Sequence, residues 1–587
     1  MNYREKIAEL IKSDVLTEQE IIESIERPKD LSNGDFAIPC FKFAKKLGKN
    51  PREIAEGLLS NIEDKENLFE QIVNINGFLN FKINKQKIID FVIGDIILKN
   101  ENYGADHSGK NQTICIDYSS INIAKPFHIG HLLSTVIGGA LYKVYKKLGY
   151  NVVGINHLGD WGTQFGALIV AYKKWGNEEE INKEGIKALS KYYVNFHIEE
   201  RKQQEKIAKE QNMKEDEIDK VIAPIREDAR RWFKKIEESD REAIQLFEKF
   251  KDITLAEIDK VYKRLNVSFD SYNGESFYND KMEPVVEELR RKKILKSSQG
   301  AEIIEFLDEE GNEKMPPCVV KRNDGASLYI TRDLAAAFYR KKTYNFKKCL
   351  YVVAYQQNLH FKQLFEIIRM MGNDWHSQME HVAFGMVSLE TGAMSTRQGN
   401  VILLEDVLNT ATKKSLEIIN EKHSDLKNKN KTAEQVGVGA VIFAALKNSR
   451  IKDMVFDYDK MLSFEGETGP YVQYTYARCS SVIAKSIYFN EDVATYPSLN
   501  NQEGYELCAA LSEYNEILHQ VIEKEEPSIL ARYVLEISKL YNKFYNTHKI
   551  LSENGQESME RVQLTMAVRE VISSGMELLG IECPHRM

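Results

Sequence analysis

Two histidines, His128 and His131, flank Ile129 and Gly130 in the tetrapeptide HIGH, the densest chemical signal in the chain. The tetrapeptide follows a β-rich run, TICIDY (Thr113 to Tyr118), and a loop, SINIAKPF. It opens a helical pattern, HLLSTVIGGALYKVYKKLGY (His131 to Tyr150). Imidazoles at such a place can donate hydrogen bonds to phosphate oxygens as negative charge builds up. Gly130 lets a nucleotide approach the backbone, and a helix N-terminus adds aligned N–H groups and a partial positive charge. The pattern therefore points to a nucleotide phosphate site. Its competitor is a packed helix start whose two histidines are satisfied internally.

The elements that must position this pair can be read nearby. Leu132, Val136, Leu141, Val144 and Leu148 favour one side of the helix, and Gly149 is placed to end it. A second strand follows in VVGIN (Val152 to Asn156). Strand, loop, helix and strand make a βαβ unit of a parallel sheet, in which ligands bind beyond the carboxyl ends of the strands. Strand-then-helix patterns recur in the runs beginning at Cys318 and Lys348, and His381 to Leu408 adds a strand and a Gly-rich loop. Residues 175 to 265 are dense in Lys and Glu and read as inserted helices with solvated faces. The N-terminal stretch has a helix with Ile7, Leu10 and Ile11 on one face and a strand in GFLNFKIN, and the polar ENYGADHSGK (Glu101 to Lys110) marks a boundary. From about residue 410 the pattern is helical. In SILARYVLEISKLYNKFYN, Ile529, Tyr533, Ile537, Leu540 and Phe544 fall at helical spacing behind Pro527.

Composition removes several classes. At ~100–200 residues per domain, 587 residues imply three to five domains. A hydrophobic fraction of 43% and a charged fraction of 29% exclude wholesale disorder. The net charge of −8 excludes a polybasic nucleic-acid coat but leaves room for a local basic face. The seven scattered cysteines show no CxxC spacing, which argues against a disulfide framework or a zinc knuckle. No apolar stretch approaches the ~18 residues of a membrane span, and the N-terminus has no apolar leader. A soluble, cytoplasmic protein is expected.

Longer motifs go further. SSINIAKPFHIGH with NHLGDWGTQFG (Asn156 to Gly166), SLYITRDLAAA (Ser327 to Ala337), YVVAYQQNLHFKQLF (Tyr351 to Phe365) and AMSTRQGNVI (Ala393 to Ile402) stand in one order. Together they resemble the catalytic core of the arginyl-tRNA synthetases, a class I aminoacyl-tRNA synthetase family. FDYDKMLSFEGETGPYVQYTYARC (Phe456 to Cys479) is similar to the entry of that family's anticodon-binding domain, and LLGIECPHRM to its ending. The resemblance implies an α/β fold: a Rossmann-type parallel-sheet core with helical insertions, a small α+β N-terminal domain and an all-α C-terminal anticodon-binding bundle. The expected divisions are a tRNA D-loop-binding domain over 1–108, a catalytic core over 109–464 with an insertion at about 175–265 and a signature loop at 393–400, and an anticodon-binding domain over 465–587. The implied reaction forms arginyl-adenylate from arginine and ATP, releases pyrophosphate, and passes arginine to the terminal adenosine of tRNA-Arg. ATP would come with Mg2+. No structural metal, no membrane and a monomer are expected, and bound tRNA is usually required for activation in the family.

The same resemblance implies roles for individual residues. His128, Gly130 and His131, with Met394, Ser395 and Thr396, match ATP-binding positions. A guanidinium is planar, charged and fork-shaped, so a carboxylate can hold it bidentately. Tyr329 and Asp333, four apart on one helical face, match the family's guanidinium-binding pair, and Gln357 matches a pocket glutamine. Asp117, Asn122 and His157 match the amino-acid end, with Asp117 where relatives commonly have Glu and Ile121 where they have Pro. Asp160 and Gln164 look like supports of that pocket. The signature loop carries Ala393 and Thr396 at its two lysine positions. Lys125 matches a lysine thought to compensate, and Arg397 is the rival on the loop itself. Tyr471, Tyr474 and Arg478, at i, i+3 and i+7, match anticodon-loop contacts, where bases stack on rings and guanidinium planes. Met587 matches the anticodon-contacting end, and Phe78 and Asn80 match D-loop contacts. Two other readings remain open at this stage: a small nucleotidyltransferase of the cytidylyltransferase type, and a catalytically dead paralogue that keeps tRNA or protein binding.

Overall fold

A computed structural model describes residues 3–28, 30, 33–123, 125, 127–322, 329–389, 402–422, 425–487 and 493–587. The N-terminal unit is a three-stranded antiparallel sheet of β1 (Phe36–Pro39), β2 (Phe69–Ile75) and β3 (Phe78–Ile83), with β3 in the centre. Asn76 and Gly77, both at positive φ, close the β2–β3 hairpin, as a two-residue Asn-Gly turn requires. Helix α1 (Lys85–Lys99) follows, its start capped by the Asn84 side chain.

The central unit is built on a four-stranded parallel sheet. It contains β4 (Thr113–Asp117) and, after helix α2 (Leu132–Lys147), β5 (Asn151–Ile155). The insertion then forms the expected helices, including Ile186–Glu210, Pro224–Glu237 and Arg241–Arg264. They bury apolar stripes such as Leu189, Tyr192 and Phe196, and pair their surface charges along the helix, as in Arg201 with Glu205 and Arg230 with Glu227. A small antiparallel sheet follows: β6 (Lys296–Ser298), β7 (Ala301–Leu307) and β8 (Glu313–Lys321). Helix α3 (Tyr329–Tyr344) leads to β9 (Lys348–Tyr351), and β10 (Met379–His381) completes the main sheet. The order is β10-β9-β4-β5, with Asp117 in register between Ile155 and Tyr351. The chain leaves β4 toward β5 and later returns on its other side as β9. The carboxyl ends of β4 and β9 thus flank a topological switch point, where open parallel sheets bind ligands.

The C-terminal domain is helical: α4 (Gly469–Lys485), α5 (Tyr514–Lys524), α6 (Ser528–Thr547) and α7 (Gly555–Leu578) are its main members. The polar segment Glu101 to Lys110, expected to mark a boundary, is pinned to this domain. Asp106 accepts hydrogen bonds from Asn515 (3.0 Å) and His519 (2.7 Å), and the Tyr103 hydroxyl donates to the Leu511 carbonyl. Arg27 pairs with Glu513, so the N-terminal unit also leans on the C-terminal helices.

Candidate active site

The histidine pair sits at the switch point. Ile129–His131 form a 3-10 turn that runs into α2, so the tetrapeptide itself is the helix entry. His128 Nδ1 accepts from the Gly130 N–H (3.1 Å), which leaves Nε2 as its N–H donor. His131 Nδ1 accepts from the His128 N–H (3.2 Å), and the ring centroids lie 4.0 Å apart. A Cβ on Gly130 would come within 2.9 Å of the His128 ring, so glycine here is what lets the ring fold over its own turn. Burial pulls the His128 pKa down and, helped by the neighbouring His128 ring, takes His131 to about 3. Both rings are therefore neutral at physiological pH and act as hydrogen-bond donors, not as cations. The internal bonds of the competing reading are present, but they use Nδ1 only. Lys125 is exposed and close enough for its charge to depress both histidines.

The carboxyl side of the signature loop is tied to this turn. Ile129 donates to the Ile402 carbonyl (3.0 Å) and Leu404 donates to Phe127 (2.9 Å). Met394, Ser395, Thr396 and Arg397 lie outside the described residues.

On the other side of the crevice α3 presents Asp333. Its Oδ2 accepts from His360 Nε2 at 2.6 Å. Burial raises its pKa, but the His360 hydrogen bond and the charges of His360, His157 and Arg340 outweigh that and hold the carboxyl below the usual range. Beside it stands Glu275, which no spacing in the sequence singles out. It pairs with Arg332 (3.2 Å), one residue before Asp333. Burial pushes its carboxyl up to about 7 against the pull of Arg332, with Asp333 and Asp160 adding to the rise and Lys125 opposing it. The two carboxyls thus lie near enough for each charge to act on the other, a setting that favours a cation. Tyr329 begins α3 one turn before Asp333, with 70% of its surface exposed, and Gln357 is exposed in the turn Tyr355–Gln357. The described residues therefore leave this pocket open on that side.

Asp117 lies lower in the fold than the other residues expected at the amino-acid end. It is buried and committed inside the fold: Oδ2 pairs with Arg340 at 2.7 Å and Oδ1 accepts from the Ser120 hydroxyl at 2.6 Å. Arg340, on the inner face of α3, is 1% exposed and lies over the Tyr351 ring. His157 stands 3.4 Å from Arg340 and against Tyr278, and burial lowers its pKa. Asp117 and His157 thus belong to a network beneath the pocket, centred on an arginine hidden in the apolar run LAAAFYRKK. Asn122 remains exposed. Its Oδ1 lies 2.3 Å from where a Cβ on Gly159 would stand, so glycine is needed there. Asp160 is wholly buried and joins three segments through Lys251, the Ser276 N–H and the Ser276 hydroxyl, each at 2.8 Å. Gln164 caps its own turn by donating to the Trp161 carbonyl.

The residues expected to contact nucleic acid divide by exposure. On α4, Tyr474 is exposed, and Arg478 lies between the Tyr474 and Tyr545 rings at 5.0 and 4.8 Å. Tyr471 is half-buried, its hydroxyl accepting from Asn542 of α6. Met587 is half-buried at the chain end. In the N-terminal unit Phe78 is half-buried and meets the exposed Phe41 edge-on at 5.7 Å. Asn80 is buried beside it, and its side chain donates to the Phe78 carbonyl and supports the strand.

Three family models account for most of the chain: "tRNA synthetases class I (R), catalytic domain" over 93–458, "DALR anticodon binding domain" over 472–587, and "Arginyl tRNA synthetase N terminal domain" over 1–83. Arginine–tRNA ligases of Alkaliphilus metalliredigens and Clostridium beijerinckii are 45% and 46% identical, each over the full length of both chains. Among solved structures, the Thermus thermophilus arginyl-tRNA synthetase superposes with a TM-score of 0.77 over 96% of each chain at 22% identity. The Plasmodium falciparum enzyme gives 0.73 over 100% of this chain and 97% of its own, at 24% identity.

Proposed function

The chain belongs to the class I arginyl-tRNA synthetases, and from that premise we propose how its own residues divide the charging of tRNA-Arg with arginine. In the first step the arginine carboxylate attacks the α-phosphorus of ATP, the bond to pyrophosphate breaks, and arginyl-adenylate forms. In the second the 2′-hydroxyl of the terminal adenosine attacks the acyl carbon and AMP leaves. Mg2+ arrives on the ATP phosphates as part of that substrate.

Asp333 and Glu275 hold the guanidinium, with Tyr329 and Gln357 closing over it. Asn122, exposed above Gly159, takes the amino-acid end, while Asp117 and His157 act through Arg340 by fixing the pocket floor. His128 and His131 donate Nε2–H groups to phosphate oxygens, and Lys125 with Arg397 supplies the positive field on the leaving pyrophosphate. Adenylate formation of this kind is positioning plus electrostatic stabilisation, with no need of a proton acceptor, and in the transfer step the 2′-hydroxyl proton passes to the phosphate of the departing AMP. Tyr474 and Arg478 offer a stacking face to the anticodon loop, and Phe78 with Phe41 offers an aromatic edge to a second tRNA loop. A monomer acting in the cytoplasm completes the proposal.

The observation that carries this reading is the neutral histidine pair on one side of the β4–β9 switch point and the carboxyls of Asp333 and Glu275 on the other. Arginine-dependent exchange of pyrophosphate into ATP, with tRNA present, tests it. Asp333→Asn is expected to lower kcat/KM for arginine at least tenfold, since truncating one partner of a buried charge pair costs ~2–5 kcal/mol, while KM for ATP stays near wild type. Unchanged arginine kinetics would discard the pocket.

A further inference from the structure

One carboxylate of the C-terminal domain is buried inside the catalytic core, at the end remote from the crevice. Glu525 follows α5 in a left-handed conformation (φ 49°), and its residue surface is 0% exposed. A single oxygen, Oε1, accepts from the Tyr145 hydroxyl and from Lys348 Nζ, both at 2.5 Å. Tyr145 lies in the last turn of α2, the helix whose first turn follows the histidine pair. Lys348 opens β9, the strand that ends at Tyr351 and leads to Gln357. At the crevice end the same two elements are joined again, by the Ser134 hydroxyl on the Val352 carbonyl (2.7 Å). The neighbouring residue is gripped as well: Glu526 accepts from the Ser449 hydroxyl and the Arg450 N–H, and Arg450 Nε donates to the Glu525 carbonyl.

Helix α6 starts immediately after this joint. Fourteen residues on, ~21 Å along a helix, its Asn542 donates to Tyr471 and Thr475 and accepts from Arg478, three residues of α4. One helix therefore connects the aromatic face of α4 with the carboxylate that clamps α2 to β9. Of the two elements so clamped, α2 begins at the histidine pair and β9, which follows α3, leads to Gln357.

We propose that Glu525 is a positioning residue of the aminoacylation reaction: seated between Tyr145 and Lys348, it makes docking of the C-terminal domain set the separation of the histidine pair from the arginine pocket. The proposal rests on the assignment of those two groups to one active site. Its signature is a split of kinetic constants. Each side of the crevice still binds its own ligand when the clamp is loosened, but the two ligands no longer meet in line, and a misplacement of ~1 Å can cost ~100-fold in rate.

The test is arginine-dependent pyrophosphate exchange by the full-length enzyme with tRNA present, alongside thermal unfolding and direct tRNA binding. Glu525→Ala is expected to lower kcat about tenfold or more, with KM for arginine and for ATP and the affinity for tRNA within about twofold. Glu525→Gln should restore most of the rate, because its amide oxygen accepts from Tyr145 and Lys348 as before and its NH2 takes the place of Oε2, which has no hydrogen-bond partner among the described residues. Lys348→Met, which keeps the volume, should reproduce the kcat loss and carries the test if Glu525→Ala does not fold. Full-rate Glu525→Ala or Lys348→Met overturns the proposal, and so do equal losses in Glu525→Ala and Glu525→Gln or a loss confined to KM. A wild-type enzyme without arginine-dependent exchange overturns the functional reading, and the proposal with it.

Discussion

At the scale of single residues the crevice is governed by which charges are free. The histidines are neutral, so the cationic help for a leaving pyrophosphate must come from elsewhere, and Lys125 is the charge that the two rings register. Lys125→Ala is expected to lower kcat for arginine activation by about two to three orders of magnitude, since losing one such donor costs ~2.7–4 kcal/mol, while KM for ATP moves less. Arg397→Ala should be milder; steady-state exchange kinetics of the two variants decide between them, and the reverse ranking moves the role to the loop. Glu275 supplies a pH dependence. Its carboxyl, lifted to about 7 by burial, is largely protonated below that pH, and a bound guanidinium requires the anion. Arginine binding must therefore release a proton at low pH. The expected kcat/KM for arginine falls as pH drops below 7, approaching tenfold per unit, and is flat above it. Glu275→Gln should be slower yet lack this limb, and a wild-type acid limb that survives the substitution assigns it to another group.

At the scale of elements, α4 separates contact from support. Tyr474 is exposed, with its ring against Arg478, and stacking is worth ~1–3 kcal/mol per base. Tyr474→Ala should weaken tRNA binding about fivefold or more and leave thermal stability unchanged. Tyr471→Ala removes a half-buried ring bonded to Asn542 and should lower Tm as well. Melting curves beside filter-binding titrations read both, and a large Tm loss in Tyr474→Ala alone would make that ring core. The βαβ unit, the HIGH turn, the helical insertion and α6 are legible in the sequence because each is written in local periodicity and local stop signals. Glu275, Arg340 and Glu525 are not. Each is a charged residue whose meaning comes from a partner far along the chain: Arg332, Asp117 and Lys348 respectively. The same cause explains Asp117 and Asn80. Their types suit a binding role, but Asp117 is spent on Arg340, which only the assembled fold brings close, and Asn80, bonded to the Phe78 carbonyl two residues back, is covered only once the sheet is packed.

At the scale of the whole molecule, the two ends of the chain meet. Arg27 and Asp106 fasten the N-terminal unit to the helical domain, and Glu525 seats that domain in the catalytic core. A tRNA reaching from Phe78 to Tyr474 and into the crevice would therefore touch one connected body. Despite the net charge of −8, its affinity for this body should fall steeply between low and physiological salt, because local phosphate contacts release counterions. A salt-independent affinity would contradict such contacts. The central claim is that this crevice activates arginine and charges tRNA-Arg with it. The most direct measurement is aminoacylation of unfractionated tRNA by the wild-type enzyme with each standard amino acid in turn. The expected result is ATP-dependent charging with arginine alone, on tRNA-Arg alone. Charging with another amino acid, or tRNA binding without any charging, would contradict it.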